Sequence, residues 1–350
     1  MTVREANGRT AMARPQGRRA TIKDVAELAG VSTATVSIVL NGGEETRARA
    51  SEETRTKVLA AVEELGYAPN QAGRGLRRGR TESVALAVPF PDAPWTLGIA
   101  RDVGVYAEER DYTTVSLTGG NWLRYLGRGT VDGAIIDASG QVRFDPGSIR
   151  PLLKQGMALV VLSNTAVPDG FDVVRTNERR ACADALRALV DQGRRRIACL
   201  RNAPTPAGQD VPERFAAYRA VLEENALPLD MTLIRDVHGT RATAFSQTLD
   251  LLDGPGERPD ALFALSDLAA ISALWACHRL RIRVPEDVAI VGIGNSPEGE
   301  YSDPALSTVG PENHDFTDLA RLLFERIEAS TPPPGRILQQ EWKYIARGTS

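Results

Sequence analysis

The chain has 350 residues, a length that suits two or three domains. Its 42% hydrophobic and 25% charged residues are those of a soluble globular protein. The net charge of −3 hides an asymmetry, because residues 1–80 carry 14 basic and 9 acidic side chains while the rest of the chain carries 28 and 36. A basic front end on an acidic body is typical of a nucleic-acid-binding head joined to a body that does not bind nucleic acid.

Cysteine content and apolar runs exclude several classes of protein. Cys182, Cys199 and Cys277 are far apart and form no CxxC pair, so we expect neither a disulfide framework nor a metal site. No run of about 18 apolar residues is present, so we expect no membrane span, and the N-terminus lacks the apolar core of a secretory signal. We therefore expect a cytoplasmic protein whose residues 1–20 form a disordered basic tail.

Residues 21–41 predict two short helices separated by a tight turn. Thr21 can cap the first helix together with Asp24, three residues later. Gly30 can take the left-handed backbone that the turn needs. Ser32 can then cap the second helix. The spacing is that of a helix-turn-helix, with an ordinary helical hairpin in a globular core as the alternative.

The second of these helices has an apolar side and a small neutral side. Val36 and Leu40 lie four residues apart and are expected to face inward. Ala34 and Ile38 pair at the same spacing on the other side, which carries no acidic residue. A helix of this shape can enter a DNA major groove without repelling the phosphates.

A third helix is predicted after a polar loop. Ser51 can cap it and Gly66 can end it. Its apolar stripe is expected to consist of Val58, Leu59, Val62 and Leu65.

These segments together resemble the DNA-binding headpiece of the lac-repressor (LacI/GalR) family of transcription regulators. The sequences TIKDVAELAGVS, TVS and VLN match its helix-turn-helix, residues 51–67 match its third helix, and residues 68–81 match its hinge segment. We therefore expect an all-α DNA-binding domain over residues 21–66 and a hinge over residues 67–82.

The resemblance also implies which residues contact an operator. They are Thr21, Ser32, Thr33, Ala34, Thr35, Ser37, Ile38, Asn41, Tyr67, Asn70, Arg74, Leu76 and Arg77. In the family the hinge becomes helical on the operator and wedges a leucine into the minor groove, and Leu76 has that position.

Two departures from the family affect this expectation. Ile38 stands where the family usually has arginine, so it can make only apolar contact, for instance with a thymine methyl group. Gly73 and Gly75 each cost a helix about 1 kcal/mol, which predicts weaker locking on DNA. A plain flexible linker is the alternative reading of the hinge.

From Ser83 onward, short apolar strands alternate with helices, which predicts an α/β fold with parallel sheets. The resemblance implies two subdomains like those of a periplasmic binding protein. We expect the first to span about 83–178 and 308–329, and the second about 179–307 and 330–350. The segment NWLRYLGRG predicts a helix shorter than the family's usual one.

The cleft between such subdomains binds ligands at the carboxyl ends of strands. The candidate ligand-binding residues are Trp95, Arg214, Ser266, Asp267 and Asn295. Arg214 matches the arginine with which family members grip a ligand, although it could be a surface helix residue. Asp267 is either a ligand acceptor or a helix cap, and Trp95 either stacks on a ligand ring or packs under a loop.

Two of the family's polar anchors are reduced or lost in this cleft. Ser266 stands where sugar-binding members often carry asparagine, and Gly294 stands where many carry aspartate. A site that binds a polyol needs acceptors aimed at its hydroxyls, so a classical neutral sugar is in doubt.

The sequence as a whole predicts a DNA-binding transcriptional regulator, with an enzyme or a solute-binding protein as alternatives. We expect a homodimeric repressor that binds a near-palindromic double-stranded operator and responds to a small-molecule effector, a sugar or a related metabolite. No full GxGxxG or GxxxxGK[ST] motif is present, and the three histidines lie in unrelated contexts. Neither catalysis nor a cofactor is therefore expected.

Overall fold

The chain divides into two units, Met1–Gly79 and Arg80–Ser350, which we call the head and the body. The computed structural model describes residues 20–41, 50–67, 80–88, 94–139, 145–202, 212–237 and 240–350. Residues 1–19 of the predicted tail and residues 68–79 of the predicted hinge lie outside the described residues.

The described part of the head contains three helices: α1 (Ile22–Ala29), α2 (Thr33–Asn41) and α3 (Glu52–Leu65). They bury one small apolar core, to which each helix contributes two residues: Val25, Ala26, Val36, Val39, Val58 and Ala61. Burial of these side chains supplies the main stabilisation of helices this short, which are marginal in isolation.

The predicted caps of the head helices are confirmed. The backbone N–H of Thr21 donates to Asp24 Oδ2 at 2.7 Å, and the Asp24 N–H donates back to Thr21 Oγ1 at 3.4 Å. Ser32 and Ser51 each accept from an N–H three residues later. Gly30 takes the left-handed conformation with φ 67°, which lets the chain turn between α1 and α2.

Two of the residues predicted to face the head core do not do so fully. Leu59 is 51% exposed, because Val58 and Ala61, three residues apart, turn the core-facing side of α3 away from it. Leu40 is half-buried, and Val39 takes the buried position beside Val36. The other predicted inward residues are confirmed, because Val36 and Val58 are buried and Val62 and Leu65 pack against the core.

The first sheet of the body has six parallel strands in the order β11-β5-β4-β3-β1-β2. They are β1 (Ser83–Val88), β2 (Thr113–Thr118), β3 (Gly133–Asp137), β4 (Ala158–Leu162), β5 (Asp172–Thr176) and β11 (Ile337–Gln340). The helices of this subdomain are α4 (Pro94–Glu108), α5 (Trp122–Leu126), α6 (Arg150–Lys154) and α12 (Thr317–Glu328). The short helix predicted in NWLRYLGRG is α5.

The second sheet also has six strands, in the order β12-β10-β9-β8-β6-β7, and only β12 runs antiparallel to its neighbour. They are β6 (Ile197–Arg201), β7 (Ile234–Asp236), β8 (Ala261–Ala264), β9 (Ala289–Ile293), β10 (Ser307–Pro311) and β12 (Trp342–Ile345). Its helices are α7 (Glu178–Asp191), α8 (Glu213–Glu224), α9 (Arg241–Asp253), α10 (Asp267–Leu280) and α11 (Pro297–Glu300).

The sheet memberships correct the predicted subdomain bounds. Strand β10 pairs within the second sheet and β11 within the first, so the chain crosses between the subdomains near residues 177, 312–316 and 341. Asn177 ties two of these crossings together, because its Oδ1 accepts from the Trp342 N–H at 2.6 Å and its Nδ2 donates to Glu341 at 2.8 Å. No helix among the described ranges is long and apolar enough to cross a membrane.

An ion cluster explains why β11 belongs to the first sheet. The Asp172 carboxylate is fully buried and accepts from Arg326 Nη1 at 3.0 Å and from Arg336 Nη2 at 2.8 Å. Arg326 lies on α12 and is itself buried, while Arg336 immediately precedes β11 and also contacts Glu325 at 2.6 Å. The cluster joins three segments distant in the sequence.

Candidate DNA-binding surface and ligand cleft

The side of α2 that faces away from the head core carries small residues. Thr33 and Ala34 are exposed, and Ser37 and Ile38 are half-buried. Asn41 is the last residue of the helix. With a rotation of about 100° per residue, burial of Val36 and Val39 directs this side outward.

Other predicted DNA-contact residues make contacts within the head. Thr21 and Ser32 are caps, and the hydroxyl groups of Ser32 and Thr35 are 2.9 Å apart. Tyr67 packs against the head core. Asn70, Arg74, Leu76 and Arg77 lie outside the described residues, so their predicted roles stay predictions.

In the body, Arg214 stands at the start of α8, where it is held by two hydrogen bonds. Its Nε donates to Glu178 Oε2 at 2.8 Å, and its Nη1 donates to the Leu265 carbonyl at 2.8 Å. Its Cζ lies 5.5 Å from the ring centroid of Trp342. Burial opposes the charge on Arg214, but the attraction and hydrogen bond of Glu178, together with other nearby groups that include Asp137, outweigh it and raise the arginine pKa.

Two carboxylates surround this arginine. The Glu178 side chain is only 5% exposed. Asp137 ends β3, and burial raises its pKa, an effect that hydrogen bonds from the Ser139 N–H and hydroxyl partly offset. Because two acids and one arginine share the site, its local charge does not favour an anionic ligand.

Aromatic side chains from both subdomains meet beside the arginine. Trp95, in the first turn of α4, lies 4.6 Å from Phe316 and 5.4 Å from Trp342, measured between ring centroids, with edge-to-face geometry. Phe316 belongs to the core of the first subdomain and Trp342 to the core of the second. Trp95 therefore packs between the subdomains, and both of its ring pairs have the edge-to-face geometry that aromatic side chains prefer.

Two buried polar atoms at the ends of strands in the second sheet have no hydrogen-bond partner within the described parts of the chain. They are the indole Nε1 of Trp342 and Oδ1 of Asn202, which follows β6. Asn202 follows the carboxyl end of β6, and Trp342 pairs with Pro311 at the carboxyl end of β10. An unpaired acceptor and an unpaired donor at this edge of the sheet are suited to a hydroxyl-bearing ligand.

Three predicted ligand residues make hydrogen bonds within the protein, and their ligand-binding roles stay predictions. Ser266 caps α10 by accepting from the Ala269 N–H. Asp267 is 2% exposed and accepts from the Ser296 N–H and the Thr308 hydroxyl at 2.5 and 2.6 Å.

Asn295 is used in the same way. Its Nδ2 donates to the Pro311 carbonyl at 2.8 Å, and its Oδ1 accepts from Arg347 Nη2 at 2.7 Å. Both ends of the amide are thus held by hydrogen bonds within the protein, and the side chain is buried.

The candidate cleft site therefore includes Trp95 and Arg214 from the prediction, with Asp137, Glu178 and Trp342 added by the structure. Asp137 carried a signal, because it is the first polar residue after an apolar strand. No signal in the sequence marked Glu178 or Trp342 as site residues, because they reach the site only through the crossing segments. No group of acids, histidines or cysteines in the described ranges is arranged to hold a metal.

A histidine in one crossing segment links the subdomains. Nε2 of His314 contacts the carbonyl oxygen of Asn295, and the His314 carbonyl accepts from Arg101 Nη2 at 2.8 Å. Burial lowers the pKa of His314, and the charges of Arg101 and Arg347 lower it further, while Asp102 and Glu300 act in the opposite direction.

We expect this histidine to make the body less stable in mild acid. In the folded protein the pKa of His314 lies below the ordinary value of 6.5. The contribution of this histidine to folding stability is therefore complete above that pH, and it is lost as the pH falls through the lowered pKa. Thermal unfolding at about pH 7.5 and about pH 5.5 should show a smaller acid loss in His314→Gln than in the unaltered protein. The exposed His278→Gln is the matched control, and an equal acid loss in all three proteins would contradict the assignment.

Sequence comparisons match a family to part of the head and another to part of the body. Residues 21–70 match the family described as bacterial regulatory proteins, lacI family, and residues 186–350 match a periplasmic binding protein-like domain. The transcriptional regulator CelR of Thermobifida fusca is 33% identical over 339 residues, covering 92% of this chain and 96% of CelR. The transcriptional repressor PurR of Vibrio vulnificus is 30% identical, covering 88% and 92%.

A solved structure extends the likeness to three dimensions. The structure described as a transcriptional regulator CelR–cellobiose complex aligns with a TM-score of 0.63 and 32% identity, over 95% of this chain and all of that one. These matches confirm the predicted headpiece and the predicted α/β body.

Proposed function

Because the chain belongs to the LacI family of bacterial regulatory proteins, we propose that it represses transcription from a near-palindromic operator and that a saccharide controls this repression. It is a DNA-binding transcriptional regulator. The observation that carries the proposal is the capped helix-turn-helix, whose second helix turns an uncharged, partly exposed side to solvent. We place the protein in the cytoplasm, with the DNA it binds, and assign it no catalytic step.

A dimer is the assembly that a palindromic operator requires, because each head reads one half-site. The body has exposed apolar residues that suit such an assembly. Leu97 and Val105 lie two turns apart on one side of α4, each 56% exposed, and Trp275 and Tyr301 are also exposed. Their burial between two copies would offset the cost of association.

The chemistry of the cleft supports a neutral saccharide as the effector, although the changes at Ser266 and Gly294 had left such a ligand in doubt on the sequence alone. The unpaired Trp342 N–H and Asn202 oxygen suit hydroxyl groups, and the acids beside Arg214 disfavour a phosphate. CelR, the related regulator, has a solved complex with cellobiose. A saccharide that binds one form of the dimer better than the other would shift operator affinity by that difference.

Selection of randomised duplex DNA by the full-length protein tests the proposal. At near-physiological salt we expect a palindrome, and we expect cellobiose, rather than glucose 6-phosphate, to change the affinity for it. Only sequence-blind, salt-sensitive binding would contradict the regulatory role. A response to the phosphate ester instead of the disaccharide would contradict the assignment of the effector class alone.

A further inference from the structure

The outward side of α2 presents mainly methyl groups. Val36 and Val39 are buried, so Ala34, Ser37 and Ile38 project from the opposite side of the helix. Thr33 and Ala34 are exposed at its N-terminal end, the end that contacts base edges in helix-turn-helix proteins. Together with the half-buried Ser37 and Ile38, this outward set has three methyl-bearing side chains and one serine.

Side chains that distinguish guanine or adenine by paired hydrogen bonds are absent from most of this helix. Arginine, lysine, asparagine and glutamine do so in the major groove, and none occurs between Thr33 and Leu40. Asn41 stands at the far end of the helix, about 12 Å along the axis from Thr33.

The hydroxyl groups on α2 discriminate poorly. The Ser32 and Thr35 hydroxyls are engaged with each other at 2.9 Å. Thr33 and Ser37 have hydroxyls that can either donate or accept, so they fit more than one base. Apolar contact with the 5-methyl group of a pyrimidine is the strongest discriminating interaction left to this surface.

We propose that α2 reads its half-site by the presence of pyrimidine 5-methyl groups, contacted chiefly by Ala34 and Ile38. This inference rests on the proposed function as an operator-binding protein. The two Cβ atoms of an i, i+4 pair are about 5–6 Å apart, and base pairs are about 3.4 Å apart. The contacted methyl groups therefore belong to adjacent or next-adjacent base pairs.

One consequence separates this mode of recognition from ordinary base readout. Thymine and 5-methylcytosine present the same methyl group in the major groove. A surface that detects the methyl group binds both, whereas a surface that reads hydrogen-bonding patterns distinguishes T·A from C·G. Methylation of cytosine within the half-site would therefore create or restore binding.

The test uses the full-length protein and the duplex that it selects. Each thymine of the half-sites is replaced by deoxyuridine, which removes only the methyl group. We expect about a fourfold loss of affinity for each contacted methyl, and no loss for replacements outside the half-sites. At the sensitive positions, 5-methylcytosine·guanine should bind better than cytosine·guanine by about the same factor.

Protein variants assign the contacts to side chains. In Ile38→Ala, one of the deoxyuridine replacements should no longer reduce the affinity. In Ile38→Val, the same replacement should still cause most of the loss of affinity. Even if Ile38→Ala does not fold, the duplex series with the unaltered protein shows whether α2 detects pyrimidine 5-methyl groups. Unchanged affinity for every deoxyuridine duplex, or equal affinity for methylated and unmethylated cytosine, would overturn the inference while leaving the operator, and hence the proposed function, intact.

Discussion

Replacing Arg214 by methionine is expected to weaken the response to the effector while leaving operator binding in place. Methionine keeps most of the apolar stem but leaves the buried Glu178 carboxylate without its partner at 2.8 Å. Losing a hydrogen bond from a charged side chain to the effector costs about 1.5–3 kcal/mol, so the effector concentration for half-maximal response should rise at least about tenfold. Measuring operator affinity over a series of effector concentrations gives this half-maximal concentration.

A matched arginine on α7 supplies the control. Arg187 pairs with Glu224 at 3.0 Å, but both side chains are about half exposed, so Arg187→Met should change the response little. Melting curves of both variants separate loss of binding from loss of folding. An unchanged effector response in folded Arg214→Met would remove this residue from the site.

Replacing Asp172 by asparagine is expected to destabilise the body by about 3–5 kcal/mol, the usual cost of leaving a buried charge uncompensated. Arg326, only 3% exposed, would lose its charge partner, and Arg336 would lose the contact that holds the start of β11. The body contains all four tryptophans of the chain, so tryptophan emission during urea unfolding reports on the body alone.

The surface pair between Asp318 and Arg321 is the comparison for this variant. Its atoms are 2.9 Å apart, but the side chains are 61% and 46% exposed, so Asp318→Asn should cost less than about 1 kcal/mol. Equal unfolding midpoints for the two variants would show that the cluster at Asp172 does not stabilise the body.

Features that depend on neighbours in the sequence were predictable. The cap of Thr21 and Asp24, the turn at Gly30 and the cap at Ser51 involve residues within four positions of each other. The alternation of apolar strands and helices likewise predicted parallel sheets, because short buried strands leave few alternatives. Single inward positions were less predictable, as Leu59 shows, since a neighbouring residue on a helix points about 100° away.

The ligand cleft shows where prediction from sequence stops. A polar residue after a strand can face a ligand or its own protein, and nothing local distinguishes the two. Asp267 is engaged by Thr308, 41 residues away, and Asn295 by Arg347, 52 residues away. Glu178 and Trp342 enter the cleft only because the crossing segments lie side by side at Asn177.

By itself, the sequence determined the family, the three-helix head and the two-sheet body, since these follow from local caps, hydrophobic periodicity and a motif in fixed order. Only the tertiary structure decided that β11 joins the first sheet and β10 the second, that three predicted ligand residues make hydrogen bonds within the protein, and that Trp95 lies between Phe316 and Trp342. The physical reason is that hydrogen bonds and buried charges are satisfied by whichever groups the fold brings within about 3 Å, regardless of their separation along the chain.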